Sequence, residues 1–343
     1  MAAYISFQPS DFFNTVLYTG TGATRTVTGA GFQPDFTWIK QRNGTYVPQL
    51  YDTTRGAGYH LRSDSNAAQS AIDLTGLSAW TSDGFTLNDR AQVNYDTGTF
   101  ASWNWKAGTT SGLSGGTITP SSYSINTTSG FGIYKYTGNS TSGATIAHGL
   151  GVVPKMIIVK RTNAVAAWMV YHEAMGNGKY MSLDTTAAEA TSASAWNDTS
   201  PTSTLFSLGD GGNVNNSAGT YVAYVFSDVK GFSKFGSYTG NASATNGTFV
   251  YTGFRPAFIL AKVTNYGAAW TLYDNKRLGY NPDNKQFDAN SAGTEGNYKS
   301  DIYSNGFKPF TADPQINGSY NYTYMAFAEF PIVSSNSKAG TAR

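Results

Sequence analysis

Gly31-Phe32-Gln33-Pro34-Asp35-Phe36-Thr37-Trp38-Ile39-Lys40 decides how this chain folds, because the stretch returns twice. The second form is Gly149-Leu150-Gly151-Val152-Val153-Pro154-Lys155-Met156-Ile157-Ile158-Val159-Lys160, and the third is Gly253-Phe254-Arg255-Pro256-Ala257-Phe258-Ile259-Leu260-Ala261-Lys262. Each Lys follows its Pro by six residues, and the prolines are 120 and then 102 residues apart. After the proline both alternating sets of side chains are mostly apolar, Phe36 and Trp38 on one face, Thr37 and Ile39 on the other. That is the pattern of a strand covered on both sides.

Further blocks keep the same order around each copy. Tyr18-Thr19-Gly20, Tyr136-Thr137-Gly138 and Tyr238-Thr239-Gly240 precede the stretch. Gln49-Leu50-Tyr51-Asp52, Trp168-Met169-Val170-Tyr171-His172 and Trp270-Thr271-Leu272-Tyr273-Asp274 follow it. Closing blocks run Thr99 to Trp105, Thr220 to Phe226 and Thr323 to Glu329. In them Trp103 and Trp105, Tyr224 and Phe226, and Met325 and Phe327 alternate with small residues, Ser102, Ala223 and Ala326. Small against aromatic across a strand is what packed sheets need to interdigitate.

Copies of this length are domains, since solenoid repeats run about 20–50 residues and a sandwich domain about 100. The expected fold is all-β: three tandem β-sandwich domains of jelly-roll or lectin-like kind, at 1–108, 109–231 and 232–333, with a polar tail at 334–343. They read as three beads, each around its own core. The first boundary lies in the Gly/Ser/Thr-rich stretch 108–130, where 124–129 reads as an edge strand of the second domain. The second boundary, at Lys230-Gly231, has almost no linker and implies a fairly fixed relation between beads. Asn43-Gly44, Asp83-Gly84, Asp210-Gly211 and Asn305-Gly306 are turn signals. The helical candidate is the Ala-rich segment 185–195, echoed at 66–71.

Composition supports β-structure. Aromatic residues make up 15% of the chain, with 23 Tyr and 20 Phe, and these favour pleated surfaces. Charged residues make up only 13%, against about 25% in a usual soluble chain, so the surface is neutral and hydroxyl-rich. The net charge of +2 is scattered, giving no electrostatic basis for nucleic-acid binding. With no Cys, stability must come from packing and hydrogen bonds. The first residues lack the pattern of a signal peptide, and no stretch of 18 apolar residues occurs. A soluble protein made in a cytoplasm, without membrane insertion, is expected.

The motifs after the prolines, together with His148-Gly149-Leu150-Gly151 and the ending Ala326-Phe327-Ala328-Glu329, resemble a repeat-domain family of tail-fibre-like virion proteins in marine tailed phages. The likeness spans essentially the whole chain, including Thr341-Ala342-Arg343. The resemblance implies a virion protein but carries no ligand with it. The first copy departs where Val47 or Pro48 falls at the position of Trp168 and Trp270.

Chemistry in the sequence is sparse. His60, His148 and His172 do not recur between copies, and form no zinc or triad pattern. Asp52 and Asp274 correspond, but His172 replaces them in the second copy, so no repeated acid pair for glycan cleavage stands out; a turn hydrogen bond is the expected role. Asp210-Gly211-Gly212-Asn213-Val214-Asn215 carries oxygen ligands without the spacing of a known calcium loop. No cofactor or metal is expected. Pro34, Pro154, Pro256, Lys40, Lys160 and Lys262 read as structural repeat positions, each lysine covering the core edge with its stem while the amine reaches water. Trp168, Tyr171, Trp270 and Tyr273 read first as core packing, and are at the same time the candidates for stacking on a sugar or protein.

The functional expectation is a non-catalytic structural or adhesion protein of a tailed-phage virion, in a tail fibre or appendage contacting the host surface. The alternatives are a capsid decoration or vertex appendage and, more weakly, a polysaccharide depolymerase. Expected partners are other virion proteins, further copies of the chain in a homo-oligomer, and a host surface glycan or protein.

Overall fold

The structure, a computed structural model, describes residues 5–277, 281 and 285–329; the tail expected at 334–343 lies outside them. Nearly all of its regular structure is antiparallel β-sheet.

The first copy contains β1 (Phe13–Thr19), β2 (Arg25–Thr28), β3 (Phe36–Gln41), β4 (Gln49–Asp52), β5 (Leu77–Thr81), β6 (Gly84–Leu87) and β7 (Thr99–Trp105). The second contains β8 (Ser122–Asn126), β9 (Phe131–Thr137), β10 (Ala144–Ala147), β11 (Met156–Arg161), β12 (Met169–His172), β13 (Lys179–Ser182), β14 (Ala190–Thr191), β15 (Leu205–Leu208) and β16 (Thr220–Phe226). The third contains β17 (Ser233–Thr239), β18 (Val250–Tyr251), β19 (Pro256–Val263), β20 (Thr271–Asp274), β21 (Phe287–Asp288), β22 (Ser300–Tyr303), β23 (Gly306–Pro309) and β24 (Asn321–Ala328).

Each copy repeats one topology. The Tyr-Thr-Gly strand pairs with the closing strand, the closing strand with the strand after the proline, and that strand with the next. The resulting orders are β1-β7-β3-β4 and, within larger sheets, β9-β16-β11-β12 and β17-β24-β19-β20. β8, β13, β14 and β21 extend the larger sheets, and the other strands form a smaller sheet in each copy: β2-β6-β5, β10-β15 and β18-β23-β22. Residues 124–126 of the segment 124–129 do belong to an edge strand, β8, which lies beyond β9; among the described residues the other two copies have no strand at this edge.

The alternation of side chains explains why both faces of the central strands are apolar. Ile39, Ile157 with Val159, and Ile259 with Ala261 each enter a cluster belonging to their own copy. The other face of all three larger sheets enters one common cluster, which includes Trp103 and Trp105, Tyr224 and Phe226, and Phe258 and Phe327. Rings meet across copies there: Phe36 and Tyr224 have centroids 4.5 Å apart, and Phe13 stacks on Phe327 at 5.1 Å. Each buried ring contributes roughly 1.5–3 kcal/mol, so the shared centre is a major store of stability. Each copy thus keeps a cluster of its own and shares a further one with the other two.

A strap from each copy completes this arrangement. Gln69 N donates to Thr162 O at 2.9 Å, Glu189 N to Thr264 O at 2.7 Å, and Glu295 N to Arg42 O at 3.2 Å. The first copy thus binds the second, the second the third, and the third the first. Arg42 and Glu295 add an ion pair at 2.7 Å to the last link. The segments expected as helix lie in these straps. Residues 66–71 hold no helix, and 185–195 holds β14 and the first residues of a single turn, Ala193–Trp196. Backbone groups spent on a neighbouring copy are not free for a helical ladder.

Candidate functional site

The residues picked out by sequence lie inside the body. Trp168, Tyr171, Trp270 and Tyr273 are all buried, as core packing requires, and so do not offer a ring face to a ligand. Trp168 Nε1 donates to Arg62 O at 2.9 Å and Trp270 Nε1 to Ser182 O at 2.9 Å, each fastening a neighbour's strap. Tyr273 donates to Tyr298 O, and Tyr171 meets the edge of Trp196. Pro48 occupies this position in the first copy and offers no such donor.

The three repeated lysines are also buried, so their amines do not reach water. Their parity puts them on the shared-core face, at its edge, where each amine crosses a boundary. Lys40 Nζ donates to Ala292 O at 2.9 Å, Lys160 Nζ to Asn66 O at 3.2 Å, and Lys262 Nζ to Thr186 O at 3.3 Å. Each also donates to the carbonyl of the residue after it. Burial pushes all three amines down to about 8, because the low-dielectric interior disfavours the charged form. Pro34, Pro154 and Pro256 are buried at the opposite strand end.

Asp52 and Asp274 do cap a turn: Asp52 Oδ1 accepts from Arg55 N, and Asp274 Oδ1 from Arg277 N. They also form buried ion pairs, Asp52 with Arg55 at 2.5 Å and Asp274 with Arg277 at 2.6 Å. Burial works against the charge on Asp52, but Arg55 beside it and hydrogen bonds from Thr54 and Tyr224 outweigh this and hold its pKa below the usual value. In the second copy His172 and Met175 stand in place of the pair. His148 and His172 are likewise committed, each Nδ1 accepting from a backbone amide two residues on.

The Tyr-Thr-Gly motif proves to be a loop clamp. Tyr18 OH donates to Val93 O, Tyr136 OH to Val214 O and Tyr238 OH to Ile316 O, each at 2.7 Å. The residue after each of those carbonyls is a buried Asn: Asn94, Asn215 or Asn317. Its side-chain oxygen accepts from Thr21 N, Asn139 N or Asn241 N, and its Nδ2 donates to Ala23 O, Thr141 O or Ser243 O. Asn215, considered above within an oxygen-rich loop, is spent in this way. The Gly is needed for close approach: a Cβ on Gly20, Gly138 or Gly240 would strike the backbone of the loop before the closing strand. Sequence reasoning missed the three asparagines, although each lies four or five residues before its closing strand.

At the same end of the body Tyr95 follows the first clamp asparagine, and the neighbouring connections β11–β12 and β19–β20 carry Val165 and Tyr266. Tyr95, Val165 and Tyr266 are exposed there. Tyr266 stacks on Tyr320 at 4.5 Å, and Tyr46 lies 5.6 Å from Tyr95. Rings held by rigid loops lose little entropy on binding, which makes this end a candidate contact surface. Among the described residues no group of three His, Asp or Glu side chains is placed to hold a metal, and no helix is long and apolar enough to cross a membrane.

A closed, triplicated, all-antiparallel β body with a clamped loop end defines the class of protein. The chain belongs to the family described as Domain of unknown function (DUF7483), which it matches over residues 8–331. That match crosses all three copies. No curated protein and no solved structure matches the chain.

Proposed function

We propose that the chain is a non-catalytic structural and adhesion protein of a tailed-phage particle, a tail fibre or appendage whose clamped loop end contacts the host surface. The carrying observation is the threefold recurrence of the Tyr–carbonyl and Asn–loop clamp, which fixes one set of loops in each copy at the end where Tyr95 and, in the adjoining strand connections, Val165 and Tyr266 are exposed. Rigid loops on a rigid scaffold are an economical way to build a contact surface. In this reading each copy is a β-sandwich of jelly-roll or lectin-like kind, its larger and smaller sheets enclosing the copy's own core. The resemblance to tail-fibre-like proteins and the neutral surface support the virion assignment. The commitment of Asp52 and Asp274 to buried ion pairs supports a body without catalytic acids at those positions.

As a virion component the chain acts alongside other virion proteins and as a homo-oligomer. A reconstruction of the intact particle tests this. Density at the tail supports the reading, density over capsomers replaces it with a capsid decoration, and no density removes the protein from the particle. Cleavage of host polysaccharide by the purified chain, lost on substituting one Asp or Glu, would overturn the non-catalytic part.

A further inference from the structure

The proline end, opposite the clamped loops, carries a cleft of about 540 Å³ at the junction of the first and second copies. Its position follows from the register: β3 starts, and β4 and β7 end, at this side of the sheet. Asp35 forms its buried floor. That carboxylate accepts from Thr53 Oγ1 at 2.9 Å, Ser124 Oγ at 2.9 Å and Ala107 N at 2.8 Å, so floor and walls are fixed to one another across the boundary. Ser124 belongs to β8, an edge strand that among the described residues has no counterpart in the other two copies.

Gln33 and Thr110 line the cleft without a hydrogen-bond partner among the described residues, and beside them the Lys106 ammonium lies 5.7 Å from the centroid of the Phe12 ring. They supply amide, ammonium and hydroxyl donors, together with the amide and hydroxyl oxygens as acceptors. Tyr123 lines the same space, and its hydroxyl is fixed by accepting from Leu113 N at 2.9 Å. Mixed donors and acceptors around a fixed aromatic side chain match a ligand that has hydroxyls on its edges and C–H groups on its face.

We infer that this cleft binds a neutral saccharide unit of a surface glycan, one per chain. The choice of saccharide rests on this lining and on the adhesive role proposed above, to which the cleft adds a second contact at the end away from the clamped loops. Pseudo-symmetry supplies the argument for a single site. The corresponding position between the third and first copies has Ala257 in place of Asp35 and encloses only about 220 Å³.

The test is titration of the intact chain with a panel of glucose, galactose, mannose, rhamnose and N-acetylglucosamine oligosaccharides, read by calorimetry and by saturation-transfer NMR. Binding of at least one of them with a stoichiometry of one is expected. Gln33→Ala with Thr110→Val, both at exposed positions, should weaken it at least about tenfold, near 1.4 kcal/mol, with the thermal melt unchanged. Lys276→Ala, at the smaller junction, should leave binding intact. No binding by any member of the panel up to millimolar concentration, or binding unaffected by the double variant, overturns the inference. Failure here leaves the particle location untouched, and a capsid location in the reconstruction leaves the titration result untouched.

Discussion

Tyr224 donates its hydroxyl to Asp52 Oδ2 at 2.7 Å, across the boundary between the second and first copies. The same relation joins Trp103 Nε1 to Asp274 Oδ2 at 3.0 Å, from the first copy to the third. Where the closing strand offers Met325, which has no donor, the facing residue is His172, whose Nε2 lies 3.2 Å from Tyr324 O. The sequence change between copies is thus a matched change of donor and acceptor. Tyr224→Phe should cost about 1.5–3 kcal/mol, the range for a hydrogen bond to a charged group. Asp52→Ala should cost about 3–5 kcal/mol, since it leaves the Arg55 guanidinium buried without its carboxylate. Urea denaturation of the two variants checks the order, and an equal loss would refute it.

The buried lysines set the alkaline behaviour. Their amines lie at about 8 in the folded chain and at 10.5 when exposed, so between these values the unfolded chain holds more protons and stability rises with pH. Above pH 10 the sign reverses. Exposed tyrosines then ionise, while burial keeps Tyr171 protonated to about 12 and holds Tyr134 and Tyr136 well above their ordinary value. The melting temperature should therefore climb from pH 8 towards 10 and then fall, and Lys262→Met should flatten the climb. A monotonic decline from pH 8 in the parent would contradict this.

The acid side belongs to histidine. Burial pushes His172 down to about 4, and burial with Arg90 nearby does the same to His60. Stability present above pH 6.5 should drain away as pH falls through 4, because the unfolded chain takes up protons first. For His172 the amount is on the order of 3 kcal/mol. Melting curves of His172→Gln should be less acid-sensitive over this interval than those of the parent.

The asparagine clamps give local predictions. Asn94→Ala, Asn215→Ala and Asn317→Ala each strip several loop amides and carbonyls of partners, at about 2–3 kcal/mol. Hydrogen exchange should accelerate at residues 20–24 in the first variant, 138–142 in the second and 240–244 in the third, leaving the other two loops protected. Uniform acceleration across all three would mean that the clamps do not act locally.

Ring closure predicts the behaviour of truncations. A chain ending at 231 loses Phe258 and Phe327 from the shared core and leaves Phe13 and Trp105 facing water. It should bind hydrophobic dyes and melt without cooperativity. A monodisperse, cooperatively melting 1–231 fragment would show instead that the copies fold alone.

Much of this was legible in the sequence: the triplication, the strands after each proline and the apolar faces of the closing strands. The partner of each second face was not legible. Period-two alternation says that Trp38 and Ile39 are both covered, but not that one faces its own copy and the other all three. The same alternation hid a slip of two residues in the third closing block. Asn321 pairs with Thr239 as Thr99 does with Thr19, so the strand begins before Thr323; a two-residue slip leaves every side chain on its face. The straps were invisible because their bonds are backbone amides and carbonyls, which any residue supplies. Lys40, Lys160 and Lys262 stand out in the sequence as repeated core-edge positions, but the carbonyls that take their amines out of water lie on another copy.

The strap from Glu295 to Arg42 also governs copy number. An open array of repeats has a first and a last member, needs special caps, and can grow or shrink by one unit without a change of architecture. Here the last unit spends its capping face on the first, so every unit is an interior one. A fourth copy has no vacant seat and a missing one leaves two torn faces. Unequal recombination between these repeats is therefore penalised by geometry, and three is the count at which the circle shuts.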